Sequence, residues 1–78
     1  MHALSSLSQL PVGKSGIIQS MPTGRAGLTR LRELGLTPGA KVTVVRRAPL
    51  GEPIEITVRG SHLAMRNHEA ADISISQA

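Results

Sequence analysis

Apolar and polar side chains alternate in several short segments of this chain, and the alternation predicts a mainly β protein. It is clearest where Ile54, Ile56 and Val58 are separated by polar residues, as in a half-buried antiparallel strand. Similar patterns bounded by turn residues predict four further strands, over residues 16–21, 41–47, 62–66 and 72–76. Because strands this short leave exposed edges unless the sheet curls and closes, we expect a small, strongly bent β-barrel.

Between the first two predicted strands the period of the pattern becomes helical. Leucine recurs at every third position from Leu28 to Leu34, and polar residues occupy most of the other positions of residues 25–34. This spacing predicts one amphipathic α-helix. A single helical turn over residues 67–71, with Asn67 as its N-cap, is predicted before the last strand.

The sequence specifies the end of the first helix sharply. If Leu34 is the C-cap, a glycine follows at the position where a left-handed backbone carries no Cβ penalty, and the next leucine can fold back onto Leu31 as in a Schellman motif. A proline and a glycine then suit the second and third positions of a type II turn over residues 37–40. We assign a structural role in this cap and turn to four residues: Gly35, Leu36, Pro38 and Gly39.

The N-terminal residues fit more than one structure. Leu4 to Leu10 is a short, serine-rich segment, and its leucines could pack as a helical turn or as an extended arm. We expect a single domain over residues 1–78, with residues 1–9 as a flexible or docking arm. A chain of this size buries only about 60% of the surface that it exposes when unfolded, so we expect a thin core.

The composition excludes several classes of protein. The chain has no Cys, which rules out disulfides and thiolate-bound zinc. It has no Phe, Tyr or Trp, so its core must be aliphatic and it cannot stack bases or grip proline-rich peptides in the usual way. No apolar run reaches about 18 residues, and the pattern of a signal peptide is missing. We therefore expect a cytoplasmic protein, whose net charge of +4 allows an acidic partner.

Four pieces of the sequence carry a resemblance to a known family. They are Arg30-Leu31 with Leu34-Gly35-Leu36 and Pro38-Gly39, residues 48–54 (APLGEPI), residues 63–66 (LAMR) and residues 73–75 (ISI). In this order and spacing they resemble the FeoA family, small SH3-like proteins associated with bacterial ferrous iron uptake. The module is also similar to the C-terminal SH3-like domain of iron- and manganese-dependent repressors. Since no DNA-binding domain precedes it, we expect a free-standing protein.

The resemblance implies both a fold and a function. The fold would be a mainly β, SH3-like barrel of about five short antiparallel strands, with one α-helix inserted between the first two strands and a helical turn before the last. The function would be that of a non-enzymatic accessory protein in the cytoplasm. It would contact the ferrous iron permease, whose cytosolic part binds GTP, and would be peripheral to the inner membrane only through this partner. The exposed strand edges also allow a homo-oligomer.

The sequence itself offers no catalytic machinery. It contains no GxxxxGK[ST] phosphate-binding loop, no thiol, and no Ser-His-Asp arrangement that spacing can support, so we expect no enzyme. Two alternative functions stay open. One is an RNA-binding SH3-like barrel, although the missing aromatic residues argue against a nucleic-acid partner. The other is a stand-alone regulatory module that binds a repressor or a transition metal.

The loop of residues 49–53 is the first candidate for a partner contact. Leu50 has no strand pattern that would draw it inward, and prolines on both sides reduce the entropy lost on docking. Alternatively, the loop only joins two strands and Leu50 closes one end of the barrel. The helix offers a second surface, although a solvated charged face also explains its polar residues. The candidate contact residues are Pro49, Leu50, Gly51, Glu52, Pro53, Arg25 and Arg32.

No metal ligands are assigned, and no cofactor is expected. Imidazole and carboxylate groups suit a divalent transition metal, and the residues that come closest to such a site are His62, His68, Glu69 and Asp72. The first of these lies on a predicted strand, however, and the other three belong to a solvated helical turn, so we do not expect them to converge.

Arginines on the predicted strands form a further candidate surface. The arginines in question are Arg46, Arg47, Arg59 and Arg66. Arg46 or Arg47 could lie near Arg59 on paired strands and give a basic patch suited to an acidic partner. Cross-strand pairing with Glu52 and Glu55 would neutralise this patch, so we expect a solvated face.

Overall fold

The computed structural model describes residues 4–24 and 26–77 and shows one antiparallel sheet of six strands. The strands are β1 (Leu4–Ser6), β2 (Ser15–Ser20), β3 (Lys41–Arg47), β4 (Ile54–Val58), β5 (Ser61–Met65) and β6 (Ser74–Gln77). Their order in the sheet is β1-β6-β2-β3-β4-β5. Helix α1 (Ala26–Glu33) connects β2 to β3, and helix α2 (Asn67–Ala71) connects β5 to β6. The mainly β class and the positions of both helical elements are confirmed.

The N-terminal segment contains a strand and a helical turn in succession. β1 pairs with β6, which adds a sixth strand to the five that the alternation predicts. A 3-10 turn follows over Leu7–Gln9, and the N–H of Leu7 donates to the carbonyl oxygen of Ile73 at 2.9 Å. Leu7 and Leu10 are fully buried. Leu7 and Leu10 are thus part of the core, whereas residues 1–3 of the predicted arm lie outside the described residues.

The core is made of aliphatic side chains. The largest fully buried side chains come from the N-terminal turn and the residue after it, from α1 and the residues after it, from β2, β3 and β4, and from β6 and the residue before it: Leu7, Leu10, Ile18, Leu28, Leu36, Ile54, Ile56, Ile73, Ile75, Val42, Val44 and Val58. The register shifts in β2 between Ile18 and Ser20 and in β3 between Val44 and Arg46. Such bulges bend a strand and increase its twist, so they help the short sheet to curl around this core.

The predicted corner after α1 is confirmed in detail. The N–H of Leu36 donates to Leu31 at 3.0 Å, and the N–H of Gly35 donates to Arg32 at 3.0 Å, which are the two hydrogen bonds of a Schellman motif. Gly35 has φ +108°. The following turn is closed by the N–H of Ala40, which donates to Thr37 at 3.0 Å. The cap therefore supplies donors to the carbonyls of Leu31 and Arg32 in the last turn of the helix.

Two details of the helix predictions are wrong. Leu34 does not continue the buried stripe of α1 and is 39% exposed, because the backbone leaves its helical course at this C-cap. In α2 the N-cap is Arg66, and Asn67 is the first helical residue. The carboxylate of Glu69 accepts the N–H of Arg66 at 2.9 Å, which is the backward hydrogen bond of a capping box and not the bond that an asparagine N-cap would make.

We predict that Gly35→Ala destabilises the domain by at least about 1 kcal/mol, because a positive φ is costly for a residue with a Cβ. A Cβ at this position would also lie 3.2 Å from side-chain atoms of Arg59. Gly39→Ala is the matched control, since Gly39 has φ +89° with nothing within 4 Å of an added Cβ. Urea unfolding followed by far-ultraviolet circular dichroism measures both. Equal losses in the two variants would contradict the contribution of the Arg59 contact.

Candidate protein-contact site

The loop between β3 and β4 is closed by backbone hydrogen bonds. The N–H of Gly51 donates to the carbonyl of Ala48 at 2.8 Å, and the N–H of Ala48 donates to the carbonyl of Pro53 at 3.2 Å. Gly51 has φ +90°, and the peptide bond between Glu52 and Pro53 is cis. We call residues 48–53 the hairpin loop. Its backbone is fixed at the base and in the turn, so it presents its tip in a defined position.

Leu50 forms the tip of the hairpin loop and is 96% exposed. It does not close the end of the barrel, which was the alternative explanation for this residue. The other large apolar side chains that are exposed among the described residues are far less so, the next being Val12 at 53%. Burial of an exposed leucine is favourable by about 1.5–3 kcal/mol. Leu50 would therefore gain this free energy if a partner covered it.

Glu52 ties the hairpin loop to the start of α2. Its Oε1 accepts the backbone N–H of Asn67 at 2.5 Å, and this N–H belongs to the first helical turn, which has no partner within the helix. The glutamate is half-buried. Of the predicted contact residues, Glu52 therefore has a role in positioning the loop, which the sequence did not indicate because the two partners lie 15 positions apart.

Arg66 completes the surface beside the loop. Together with Leu50, Glu52 and Pro53 it lines an open groove of about 420 Å³, and it is itself exposed. Arg66 ends the strand predicted over residues 62–66, and nothing in the local sequence connects it with the hairpin loop. The groove thus joins an apolar tip to a guanidinium group, which suits a partner segment with an apolar and an acidic side chain.

Arg32, the candidate for a second surface on the helix, contacts the segment before α1. Its guanidinium donates to the carbonyl oxygen of Pro22 and is partly buried, so it holds the segment that precedes α1. Arg25, the other candidate on this helix, lies outside the described residues. The guanidinium of Arg32 is therefore already bonded within the protein, and this bond does not favour a partner contact on α1.

The predicted proximity of Arg46 or Arg47 to Arg59 is wrong. The register of β3 and β4 places Arg46 opposite Glu55, whereas Arg59 follows Val58 at the other end of the pair. The guanidinium of Arg46 donates to Oε2 of Glu55 at 2.5 Å, so the expected neutralisation across the strands is confirmed for this pair. Arg47 donates to the carbonyl oxygens of Ser8 and Leu10, at 2.7 and 3.0 Å. Arg46 and Arg47 are therefore bonded to different partners and do not form one basic patch with Arg59.

The residues closest to a metal site do not come together. Nε2 of His62 lies 3.2 Å from Oε1 of Glu55, on the outer face of β4 and β5. Glu69 caps α2 through the N–H of Arg66, and His68 and Asp72 lie on and just after that helix. Within residues 4–24 and 26–77, no three His, Cys, Asp or Glu side chains are grouped so that they could hold an ion.

None of the helices in the part of the chain that the structure describes is both long and apolar enough to cross a membrane.

This chain is similar in sequence and structure to several known proteins. The FeoA domain model matches residues 5–77. The solution structure of FeoA from Chlorobium tepidum is 42% identical, has a TM-score of 0.86, and aligns over 92% of this chain and 69% of its own. FeoA from Stenotrophomonas maltophilia is 34% identical, with a TM-score of 0.76 and 94% coverage of both chains. That protein was crystallised with zinc and is described as a prokaryotic SH3 domain protein and a candidate ferrous iron transport activating factor.

A more distant match shows the fold alone. IdeR from T. acidophilum is 17% identical, with a TM-score of 0.81 over 97% of this chain and 35% of its own. The domain is therefore SH3-like, as the resemblance to both groups of proteins implied. The chain belongs to the FeoA family, which is associated with ferrous iron transport. SH3-like domains of this family are non-catalytic accessory domains.

We predict that Glu52→Ala destabilises the domain by about 1 kcal/mol, because the N–H of Asn67 loses its acceptor. Amide hydrogen exchange at Asn67 should accelerate in this variant, which locates the effect at the junction of loop and helix. Glu33→Ala is the control, since Glu33 is exposed at the end of α1 and its loss should change stability by less than about 0.5 kcal/mol. Unchanged exchange at Asn67 would contradict the assigned role.

Proposed function

We propose that this protein is a non-enzymatic accessory protein of bacterial ferrous iron uptake that binds the cytosolic GTP-binding part of the ferrous iron permease. Membership of the FeoA family supports the association with iron transport. The observation that carries the choice of surface is the exposure of Leu50 at the tip of the hairpin loop. We further propose that the protein works in the cytoplasm and reaches the inner membrane through this partner.

The structure of the hairpin loop supports binding through a preorganised apolar anchor. The loop is closed by backbone hydrogen bonds and tied to α2 by Glu52, so little conformational entropy remains to be lost on docking. Burial of Leu50 in a partner pocket would contribute about 1.5–3 kcal/mol. Exposed Arg66 beside it offers a charge-assisted hydrogen bond to a carboxylate at the rim, which would orient the partner.

The contact surfaces of the alternative functions are less complete. RNA binding would need either aromatic platforms, which the chain lacks, or a continuous basic surface, which the pairing of Arg46 with Glu55 interrupts. A metal-regulatory module would need several ligands that converge on one ion, and the described residues contain no such group. These observations favour the hairpin loop, and protein contact, as the basis of function.

We predict that Leu50→Asp weakens binding to the purified cytosolic part of the permease at least about tenfold, since a tenfold change corresponds to 1.4 kcal/mol, less than the value of a buried leucine. Isothermal titration calorimetry measures the Kd. Val12→Asp is the matched control, because Val12 is also an exposed apolar loop residue but lies outside the hairpin loop, and its Kd should match the wild type.

Circular dichroism must show that both variants stay folded, as expected for substitutions at exposed positions. Failure of the wild-type protein to bind at concentrations up to about 1 mM would overturn the proposed partner. Equal loss of affinity in both variants would overturn the assignment of the contact to the hairpin loop.

We also propose that the contact needs no metal, because Glu52 is the only carboxylate among the residues that line the groove, its Oε1 already accepts the N–H of Asn67, and a divalent ion needs several converging ligands. The Kd measured with a chelator should therefore agree with the untreated value within about twofold. Because the Stenotrophomonas relative was crystallised with zinc, thermal unfolding with added Fe²⁺ or Zn²⁺ is the companion measurement. A marked rise in the melting temperature, together with loss of binding in chelator, would favour the metal-regulatory alternative.

A further inference from the structure

β5 is an edge strand of the sheet. It pairs with β4 over five regular positions, from Ile54–Met65 to Val58–Ser61, and no other strand of the described residues lies on its far side. The opposite edge, β1, has only three residues. β5 is therefore the longer of the two free edges, and its unpaired backbone groups are available to a further strand.

The turn between β4 and β5 decides which backbone groups point outward. Arg59 and Gly60 are its two central residues, with φ of +47° and +80°, as in a type I′ hairpin. In such a hairpin the flanking residues, Val58 and Ser61, exchange hydrogen bonds, and bonded and non-bonded pairs then alternate along the ladder. His62 and Ala64 fall at the non-bonded positions, so they direct their N–H and C=O groups away from β4.

Nothing on β5 itself blocks pairing at this edge. Natural edge strands are commonly protected by lysine, proline or a bulge, but the sequence Ser-His-Leu-Ala-Met contains neither residue, and its register with β4 is unbroken. His62 and Ala64 are exposed. On the inner side, Leu63 is 7% exposed, more than any other residue of the core, so a neighbouring strand would also complete its burial.

We propose that β5 pairs antiparallel with β5 of a second copy of this chain, around a two-fold axis at Leu63. His62 of each copy then lies opposite Ala64 of the other, and the outward N–H and C=O groups of both residues form inter-chain hydrogen bonds. The two Leu63 side chains meet on the inner face. A two-fold interface requires a surface that is complementary to itself, and β5 meets this condition.

The side chains select this register over its neighbours. A pair centred on His62 would bring the two imidazoles face to face, and a pair centred on Ala64 would place His62 opposite Arg66. Centring on Leu63 sets each imidazole beside a methyl group and keeps the guanidinium of Arg66 away from the imidazole of the other copy, and cross-strand neighbours of this kind pack without an opposing cation. The same symmetry makes a second copy a better match than an unrelated strand.

This interface is separate from the hairpin loop, and it can be tested on the isolated protein without the permease. We expect the wild-type mass in analytical ultracentrifugation to rise from monomer to dimer as the protein concentration increases to about 1 mM. Over the same range, the amides of His62 and Ala64 should become protected from hydrogen exchange, whereas the amide of Leu63, bonded to β4, is protected throughout.

Ala64→Pro is the diagnostic variant. It removes an N–H that does not bond to β4, and proline is tolerated on the open side of an edge strand, so the ladder between β4 and β5 should survive while the dimer is lost. Ala64→Ser is the matched control and should dimerise like the wild type. A wild-type protein that stays monomeric with fast exchange at His62 and Ala64, or an Ala64→Pro variant that still dimerises, would overturn the proposal. The exchange measurement decides the question even if the proline variant fails to fold.

Discussion

The burial of aliphatic side chains on the inner face of one short sheet is the interaction on which the structure depends. Each buried Val, Leu or Ile contributes about 1.5–3 kcal/mol, and no aromatic ring is present to fill the centre. The sheet must therefore curve closely around small side chains, with bulges in β2 and β3. Beside this curved sheet the hairpin loop contacts the start of α2 through Glu52, and Glu52 and Arg66 line a groove there.

Features set by neighbouring residues were predictable from the sequence. The alternation of β4 and the glycine, proline and leucine spacing after α1 depend on interactions over a few residues, and the structure reproduces both. β1 was not predictable as a strand, because three residues carry too little alternation and their pairing partner, β6, lies at the other end of the chain. The helical spacing predicted that Leu34 would be buried with Leu28 and Leu31. It is partly exposed instead, because the backbone stops being helical at this C-cap residue.

The candidate site shows the same division. The lack of a strand pattern around Leu50 left two explanations open, a contact residue or a lid on the barrel, and its exposure in the structure removes the second. The bond from Asn67 to Glu52 and the position of Arg66 beside the loop depend on how two distant segments meet, and no local pattern records this. The error with Arg59 has a similar cause, since the register of β3 and β4 decides which arginine faces which glutamate.

The close approach of Gly35 to Arg59 has a consequence for how the sequence can change over time. The stem of Arg59 occupies the space that a Cβ at position 35 would need, although 24 positions separate the two residues. A substitution at one position therefore alters which residues are acceptable at the other, which is epistasis in evolutionary terms. Shortening of the arginine side chain would remove the steric part of this restriction, but the positive φ would still favour glycine.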